Sequence, residues 1–307
     1  MMVIQEIIKE KPLHITSVLI QKDFRRHDDC IPKLRVRPVR KGDFESIVET
    51  DLTNVPYVKT KPANFERYLN VIRGIGGEIL VVEEEGEIVG EAEMVPQPDL
   101  SVAGPHVFLV NLTSRENDRT IKRELLRACK RVAKSWGFSF LDHIPSPGDL
   151  EDLKMLGFTV TTAKQVLLKV RPKKIANLAK IEEETSKKYP SNLALLSGEI
   201  RPGKLSWALV LGEQPFIPTK AYRIRVGRFD FISLLSNEGG KLHLSLFGVP
   251  ASGPGEIFNA LGATLTMADS LGAREIRTLA WARYLCSFES AEFEATSQVP
   301  LLRMRVD

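Results

Sequence analysis

The stretch AKSWG at residues 133–137 decides the fold, because it returns in altered form as ADSLG at residues 268–272. Two other landmarks keep the same spacing: LRVRP at 34–38 returns as LKVRP at 168–172, and Phe158 is matched by Phe293. The three offsets are 268 − 133 = 135, 168 − 34 = 134 and 293 − 158 = 135 residues. A nearly constant offset at separate landmarks is typical of an internal duplication. The sequence therefore predicts the same structural unit twice, each of about the commonest domain size.

The duplication divides the 307-residue chain into three parts. Residues 1–33 lie outside the repeat and form an N-terminal extension, with a predicted strand at 15–20 that is rich in β-branched residues. Residues 34–170 and 171–307 are the two predicted domains. A composition of 43% hydrophobic and 27% charged residues is typical of globular proteins. The net charge of +4 is too small to predict a nucleic-acid-binding protein by itself.

Composition also argues against several other classes of protein. Cys30, Cys129 and Cys286 are far apart, which predicts reduced thiols rather than a disulfide framework or a metal site. No apolar run approaches the roughly 20 residues that a membrane-spanning helix needs. Glu6 and Glu10 near the N-terminus are unlike a signal peptide. We therefore expect a cytoplasmic protein without a metal.

Hydrophobic periodicity places the elements of the first unit. The strongest helix signal covers 120–136, where Ile121, Leu125, Ala128 and Val132 form one apolar stripe that ends at Gly137. An apolar strand at 107–112 is predicted to be central and buried on both faces. The other predicted helices are 41–48, 65–75 and 150–156, and the other strands are 34–36, 78–83, 87–94, 138–141 and 158–170.

The second unit follows a similar order. Its predicted helices are 175–186 and 256–271, and its predicted strands are 208–211, 223–226, 229–235, 242–249, 274–279 and 294–306. The strand at 242–249 takes the place of 107–112, and the helix at 256–271 takes the place of 120–136.

This order of elements resembles the GNAT superfamily of N-acyltransferases. The best local match runs from 107 to 158: a strand containing Val110-Asn111-Leu112, a loop, a long helix, and the phrase Met155-Leu156-Gly157-Phe158. The resemblance covers nearly all of the first unit and, more weakly, the second. It implies a mixed α/β fold with tandem GNAT-like domains, each a mostly antiparallel sheet flanked by helices.

The resemblance also implies an acyl-CoA cofactor, acetyl-CoA being the simplest. The central strand would hold its pantetheine arm, and backbone amides at the start of the long helix would hold its pyrophosphate. In the first unit these positions are Val110, Leu112, Arg119 and Thr120, and in the second they are Val249, Ser252, Gly253 and Gly255.

The first unit departs from the family's phosphate-binding loop. Both motif glycines are replaced, by Thr120 and Lys122, and Asp118 stands where a phosphate would approach. A helix capped by Asp118 is the alternative interpretation. The second unit keeps Gly255 at the first glycine position, and a plain glycine-rich turn before a helix, which is common, is the alternative interpretation of that loop.

Candidates for catalysis are few. The position of the family's proton-donating tyrosine falls on Leu153 and Phe288, and Tyr284 lies one helical turn before the latter. His106 and His243 head the two central strands, where a neutral imidazole would suit a general base. A core aromatic and strand-end histidines bonded to the backbone are the structural alternatives. The adjacent pair Asp142-His143 is not expected to act as a relay, because neighbours in a strand point to opposite faces.

The sequence is compatible with two functions. The first is acyl transfer from acyl-CoA to the amine of a small molecule or protein, by one half of the chain, which the sequence does not identify. The second is a GNAT-like binding protein without transferase activity, with a protein or nucleic-acid partner. The basic segments 22–26, 35–41 and 119–131 favour an anionic partner, and the interleaved acids Glu116, Asp118 and Glu124 weaken it.

Overall fold

A computed structural model describes residues 34–49, 62–97, 103–146, 148–176, 179–198, 202–212, 215–217, 219–238 and 241–306. The N-terminal extension 1–33, with its predicted strand at 15–20 and Cys30, lies outside the described residues.

The first half contains six strands and four helices within the described residues. In chain order they are β1 (Arg35–Pro38), α1 (Phe44–Glu49), α2 (Pro62–Gly74), β2 (Glu78–Glu84), β3 (Glu87–Gln97), β4 (His106–Ser114), α3 (Arg119–Ser135), β5 (Phe140–His143), α4 (Leu150–Met155) and β6 (Thr159–Val170). Every element predicted for this half is present at or near its predicted position, including the long helix and the central strand.

The second half contains seven strands and three helices within the described residues. They are β7 (Lys180–Glu183), β8 (Ala194–Gly198), α5 (Gly203–Leu211), β9 (Thr219–Val226), β10 (Phe229–Glu238), β11 (Lys241–Gly248), α6 (Pro254–Ser270), β12 (Ile276–Trp281), α7 (Leu285–Ser290) and β13 (Glu294–Arg305).

The internal repeat is visible in the element boundaries. Residues 119–135, 150–155 and 159–170 form α3, α4 and β6, and residues 254–270, 285–290 and 294–305 form α6, α7 and β13, so every boundary returns 135 residues later. The same order of strand, long helix, strand, short helix and long strand therefore occurs twice. The boundary between two domains near residue 170 remains a prediction.

All thirteen described strands form one sheet, in the order β1-β2-β3-β4-β5-β13-β6-β12-β8-β11-β10-β9-β7. The pairs β4–β5 and β11–β12 are parallel, and every other pair is antiparallel. This confirms the predicted mixed α/β class with a mostly antiparallel sheet.

The last strands of the two halves are exchanged. β13 lies between β5 and β6, with Leu302 opposite His143, and β6 pairs with β12, with Leu168 opposite Thr278. Each half therefore completes its sheet with the final strand of the other, and the sheet runs without a break across the molecule.

Helices cover both faces of the first half of the sheet. Ala92 and Met94 of β3 pack with α3 on one face, and Val95 packs with α1, α2 and α5 on the other. The second face includes Phe65 of α2 and Leu205 of α5, so a helix of the second half completes a core of the first.

Two predictions for the second half are wrong. Residues 175–186 were expected to form a helix, because they are rich in Ala, Glu and Lys; the described part instead contains β7, which pairs with β9 at the sheet edge. Residues 208–211 were expected to be a strand but belong to α5. A short apolar run fits a buried helix as well as a strand, and here packing against α2 decides.

Candidate functional site

In the first half, the two parallel strands separate and leave a gap. β4 and β5 are paired only from Val107 and Leu141 to Leu109 and His143. Beyond Leu109, none of the described strands pairs with β4 on this side. The register with β3 also shifts here and leaves Val110 without an opposite residue, as in a β-bulge. The result is an opening at the level of Val110, with Leu109 and His143 at its apex.

In the second half, the equivalent gap is filled by the chain itself. β11 and β12 are paired only at two positions, Leu242 with Ile276 and His243 with Arg277. Beyond them β8 lies between the two strands and pairs with both: Ser197 is opposite Leu246 of β11 and Ala280 of β12. The β10–β11 register is unbroken and has no counterpart of the bulge at Val110.

The N-terminus of α3 is capped by the carboxylate of Asp118. The Asp118 carboxylate accepts hydrogen bonds from the backbone N–H of Thr120 at 2.6 Å and of Ile121 at 3.3 Å. Arg119 is paired with Asp152, with Nη2–Oδ1 at 2.5 Å. The amides and the arginine predicted to hold pyrophosphate are therefore engaged within the protein, as the alternative interpretation of a capped helix anticipated.

The start of α6 has no such cap. Val249, Ser252 and Gly253 lie in the turn before α6, in which the Ser252 N–H donates to the Val249 carbonyl at 2.9 Å, and Gly255 lies in the first turn of α6 itself. Gly253 is the N-cap residue and offers no side chain, and a Cβ on Gly255 would meet nothing within 4 Å. The Ser252 hydroxyl is buried and has no hydrogen-bond partner among the described residues. A Glu256 carboxylate oxygen lies 2.8 Å from the position that a Cβ on Gly253 would take, so an acid of the chain also faces this turn, which belongs to the half whose strand gap is filled.

His143 lies at the apex of the first gap. Its Nδ1 is 2.7 Å from the Leu109 carbonyl oxygen, so Nδ1 carries the proton and Nε2 is left as the basic nitrogen. The side chain is only 8% exposed, and burial lowers its pKa, so the imidazole is neutral near pH 7. Lys122 of α3 contributes to this lowering of the pKa and bonds to Asn117 Oδ1. A neutral imidazole at this point can accept a proton.

His106 lies on the opposite face from His143. Its Nδ1 is 2.6 Å from the Gly104 carbonyl oxygen and 3.7 Å from Asp142 Oδ2. Asp142 and His143 thus point apart, as the strand geometry predicts. His106 also lines a cavity of about 30 Å³ with Gln165, at the seam between the halves. The structure does not bring His106 to the gap at Val110.

His243 and Tyr284 belong to the second half. His243 is half-buried on β11, at the point where β12 leaves it. Tyr284 is buried in the 3₁₀ turn before α7, and burial raises its pKa. Leu153 and Phe288, which occupy the family's tyrosine position, are both core residues. The candidate groups of the two halves are therefore not assembled into one site.

Strand β3 carries two buried carboxylates that are not among the predicted site residues. Glu91 and Glu93 alternate on β3 and are each 1% exposed. The Asn111 amide donates to Glu91 at 2.8 Å, and the Tyr68 hydroxyl donates to Glu93. Burial, and then the charge of Glu93, raise the pKa of Glu91 well above its usual value. The sequence signal for this pair is the spacing of Glu91 and Glu93, which places both acids on one face of a strand that is otherwise mostly apolar.

No helix in the described part of the chain is long and apolar enough to cross a bilayer. The described side chains also contain no group of three or more His, Cys, Asp or Glu residues placed to hold a metal ion.

Similarity to known proteins is found in structure but not in sequence. No protein-family model matches the chain, and no curated protein matches it either. A GCN5-related N-acetyltransferase from Anabaena variabilis aligns over 90% of this chain and 73% of its own, with a TM-score of 0.63 and 9% identity. One from Kribbella flavida covers 89% and 71%, with a TM-score of 0.59 and 13% identity. A tandem GNAT protein from the clavulanic acid biosynthesis pathway covers 90% and 99%, with a TM-score of 0.50 and 13% identity.

The chain therefore has the fold of the GCN5-related N-acetyltransferases. At these identities the similarity establishes the fold alone.

Proposed function

We propose that the protein is an N-acyltransferase whose working site is the gap between β4 and β5 of the first half. One observation carries this: the gap at Val110 is left open by the described strands, whereas β8 fills its counterpart. An open strand edge offers backbone groups to an extended ligand, as in β-augmentation. Acyl-CoA would supply the acyl group, and its pantetheine arm is such a ligand.

His143 is the proposed general base. It lies at the apex of the gap, it is neutral near pH 7, and its Nδ1–H is fixed by the Leu109 carbonyl. Nε2 would take the proton from the attacking amine, and an amide of the bulge at Val110 would stabilise the oxyanion. Among the earlier candidates, His106 lies on the other face of the sheet, and His243 and Tyr284 lie in the filled half.

The cofactor fits this half only in part. The gap suits a pantetheine arm, but the α3 amides suit a phosphate only when Asp118 releases the N–H groups of Thr120 and Ile121. Asp118 would then be a competitor of the cofactor, and acetyl-CoA would bind weakly to the wild-type protein.

Thermal unfolding with acetyl-CoA tests this site, because a ligand of the native state raises the melting temperature. We expect Asp118→Ala to enlarge the shift at 1 mM acetyl-CoA, since it frees two amides, although the variant itself is less stable. Gly255→Glu, which places an acid in the first turn of α6, is the matched change in the second half and should leave the shift unaltered. A shift abolished by Gly255→Glu and unaffected by Asp118→Ala would move the site to the second half.

Release of CoA thiol in the presence of a panel of primary amines tests the chemistry. His143→Gln should lower the rate at least tenfold while acetyl-CoA still raises the melting temperature, because Gln keeps a donor for Leu109 but has no basic nitrogen. Equal rates in the variant and the wild type would exclude His143 as the base.

A second function, that of a binding protein without acyl transfer, is favoured because the chain itself occupies one expected cofactor position in each half. Asp118 occupies the amides of one half, and β8 occupies the strand gap of the other. A protein that has lost acyl transfer and serves as a binding module would carry both. Failure of acetyl-CoA to shift the melting temperature of both the wild type and Asp118→Ala would favour it.

A further inference from the structure

The outer face of α3 carries a row of cations. With about 100° per residue, they fall within a third of the helix circumference and span about 22 Å along its axis. None of these residues is buried, whereas the opposite side of the helix packs on the sheet. The row consists of Arg119, Arg123, Arg127, Lys130, Arg131 and Lys134.

The repeat supplies an internal control for this row. α6 is the counterpart of α3, with the same length and the same place in the element order, and it contains no Lys or Arg. Its face is instead partly covered by the chain: the Ile175 N–H donates to Thr266 Oγ1 at 3.1 Å. The fold therefore does not require cations on this helix, and the row needs another explanation.

Four cations of the row are not neutralised within the described part of the chain. Arg119 is paired with Asp152, and Arg127 with Glu124. No described ion pair involves the others, which are Arg123, Lys130, Arg131 and Lys134. Like charges at this spacing on one helix face destabilise it slightly, so the sequence keeps the row against a cost in stability.

We propose that the row on α3 binds the phosphate backbone of a nucleic acid, without sequence selectivity. Cations that follow one side of a helix, four of them without an ion pair among the described residues, suit successive phosphates, and phosphate contacts alone sustain non-specific binding. A membrane surface fits less well, because an interfacial helix inserts its apolar side and that side of α3 is in the core. An acidic protein fits less well, because the exposed side of α3 lacks the aromatic or aliphatic anchors of protein interfaces.

The proposal predicts a particular salt dependence. Four released counterions give a slope of log K against log salt of about −3 for a single strand and about −3.6 for a duplex. The proposal does not depend on acyl transfer, because α3 presents the row on the side away from the sheet.

Fluorescence anisotropy with a labelled 20-nucleotide poly-uridylate and a 20-base-pair DNA duplex tests the proposal on the full chain. The variant Arg123→Gln, Lys130→Gln, Arg131→Gln, Lys134→Gln should bind at least tenfold more weakly at 50 mM salt, with a much shallower slope. The control Lys41→Gln, Lys173→Gln, Lys180→Gln, Arg225→Gln removes the same charge from exposed ion-paired cations and should bind within threefold of wild type.

Three outcomes would overturn the proposal. They are the absence of wild-type binding to both probes at 50 mM salt, an equal loss in the control variant, and binding to vesicles containing 30% phosphatidylserine with none to either nucleic acid. Thermal unfolding of both variants checks that each is folded.

Discussion

Arg303, on the last strand of the chain (β13), donates two hydrogen bonds to the Asp142 carboxylate, Nε–Oδ1 at 2.7 Å and Nη2–Oδ2 at 2.6 Å. The two residues are 161 positions apart in the chain, and Asp142 is 0% exposed. Arg303 Nη2 also donates to the Ala103 carbonyl at 2.7 Å, and Arg303 Cζ lies 4.6 Å from the centroid of the Phe140 ring. The exchanged strand β13 is thus fixed to the first half by a partly buried charge pair as well as by its backbone hydrogen bonds.

Loss of this pair should be costly. Arg303→Met keeps much of the volume but takes both charged hydrogen bonds from the buried Asp142 carboxylate and leaves it beside His106 Nδ1 at 3.7 Å, which costs about 3 kcal/mol of unfolding free energy. Urea denaturation measures it. Arg225→Met, which breaks the exposed pair with Asp230, should cost about 1 kcal/mol or less. Similar losses in the two variants would mean that the Asp142 pair does not hold β13 in place.

The buried Glu91 should make stability depend on pH. Its pKa is raised in the folded protein from the ordinary value near 4.5, so above that pH the folded state keeps a proton that the unfolded chain has lost. Stability therefore falls as the pH rises from about 4.5 to the folded-state pKa. Glu91→Gln removes this fall and keeps an acceptor for Asn111, and should stabilise the protein at pH 7–8 by about 1 kcal/mol or more.

Urea denaturation between pH 4 and pH 8 checks this prediction. The two proteins should converge near pH 4, where the wild-type carboxyl is protonated in both states. Glu87→Gln, on the exposed start of the same strand, is the control and should stay within about 0.5 kcal/mol of wild type. A constant difference between Glu91→Gln and wild type across the range would contradict the assigned pKa direction.

The sequence predicts elements well where local patterns decide them. The helix at 120–136 follows from its periodicity and the strand at 107–112 from its continuous apolar run, and the offset between Ala133 and Ala268 predicts the repeat that is seen in α3 and α6. The sequence predicts an element less well where tertiary contacts decide its secondary structure. Residues 180–183 have a composition that favours a helix, and become a strand because β9 offers an unpaired edge.

The site is harder to predict than the fold, because its features come from pairing between distant segments. Exchange of β6 and β13 leaves the same sequence pattern as pairing within each half, so the repeat does not distinguish the two. The filling of the second gap depends on β8, whose five residues resemble many buried apolar runs. The cap by Asp118 was foreseeable because it uses only residues three apart.

Gly90 of β3 lies directly against side chains of α3. A Cβ there would lie 2.5 Å from Ile121 Cγ2 and 3.2 Å from Leu125 Cδ1. Gly90→Ala should therefore lower the free energy of unfolding by about 1–3 kcal/mol, through overpacking. Gly255→Ala is the control, because its Cβ meets open space in the first turn of a helix, and it should be neutral or stabilising by a few tenths of a kcal/mol. Equal stability of the two variants in urea would show that α3 can move outward freely.

The strand exchange should make the two halves unfold together. β13 completes the first half and β6 pairs with the second, so neither half keeps its sheet when the other unfolds. The fluorescence of Trp136 reports on the first half, and that of Trp207 reports on the second. We therefore use two variants: each retains one of these two tryptophans and has Phe at the other two tryptophan positions. Each variant's fluorescence transition in urea should coincide with its own circular dichroism transition, as two-state unfolding requires. Fluorescence and dichroism midpoints that separate within either variant would show that the halves are independently stable and that the exchanged strands do not couple them.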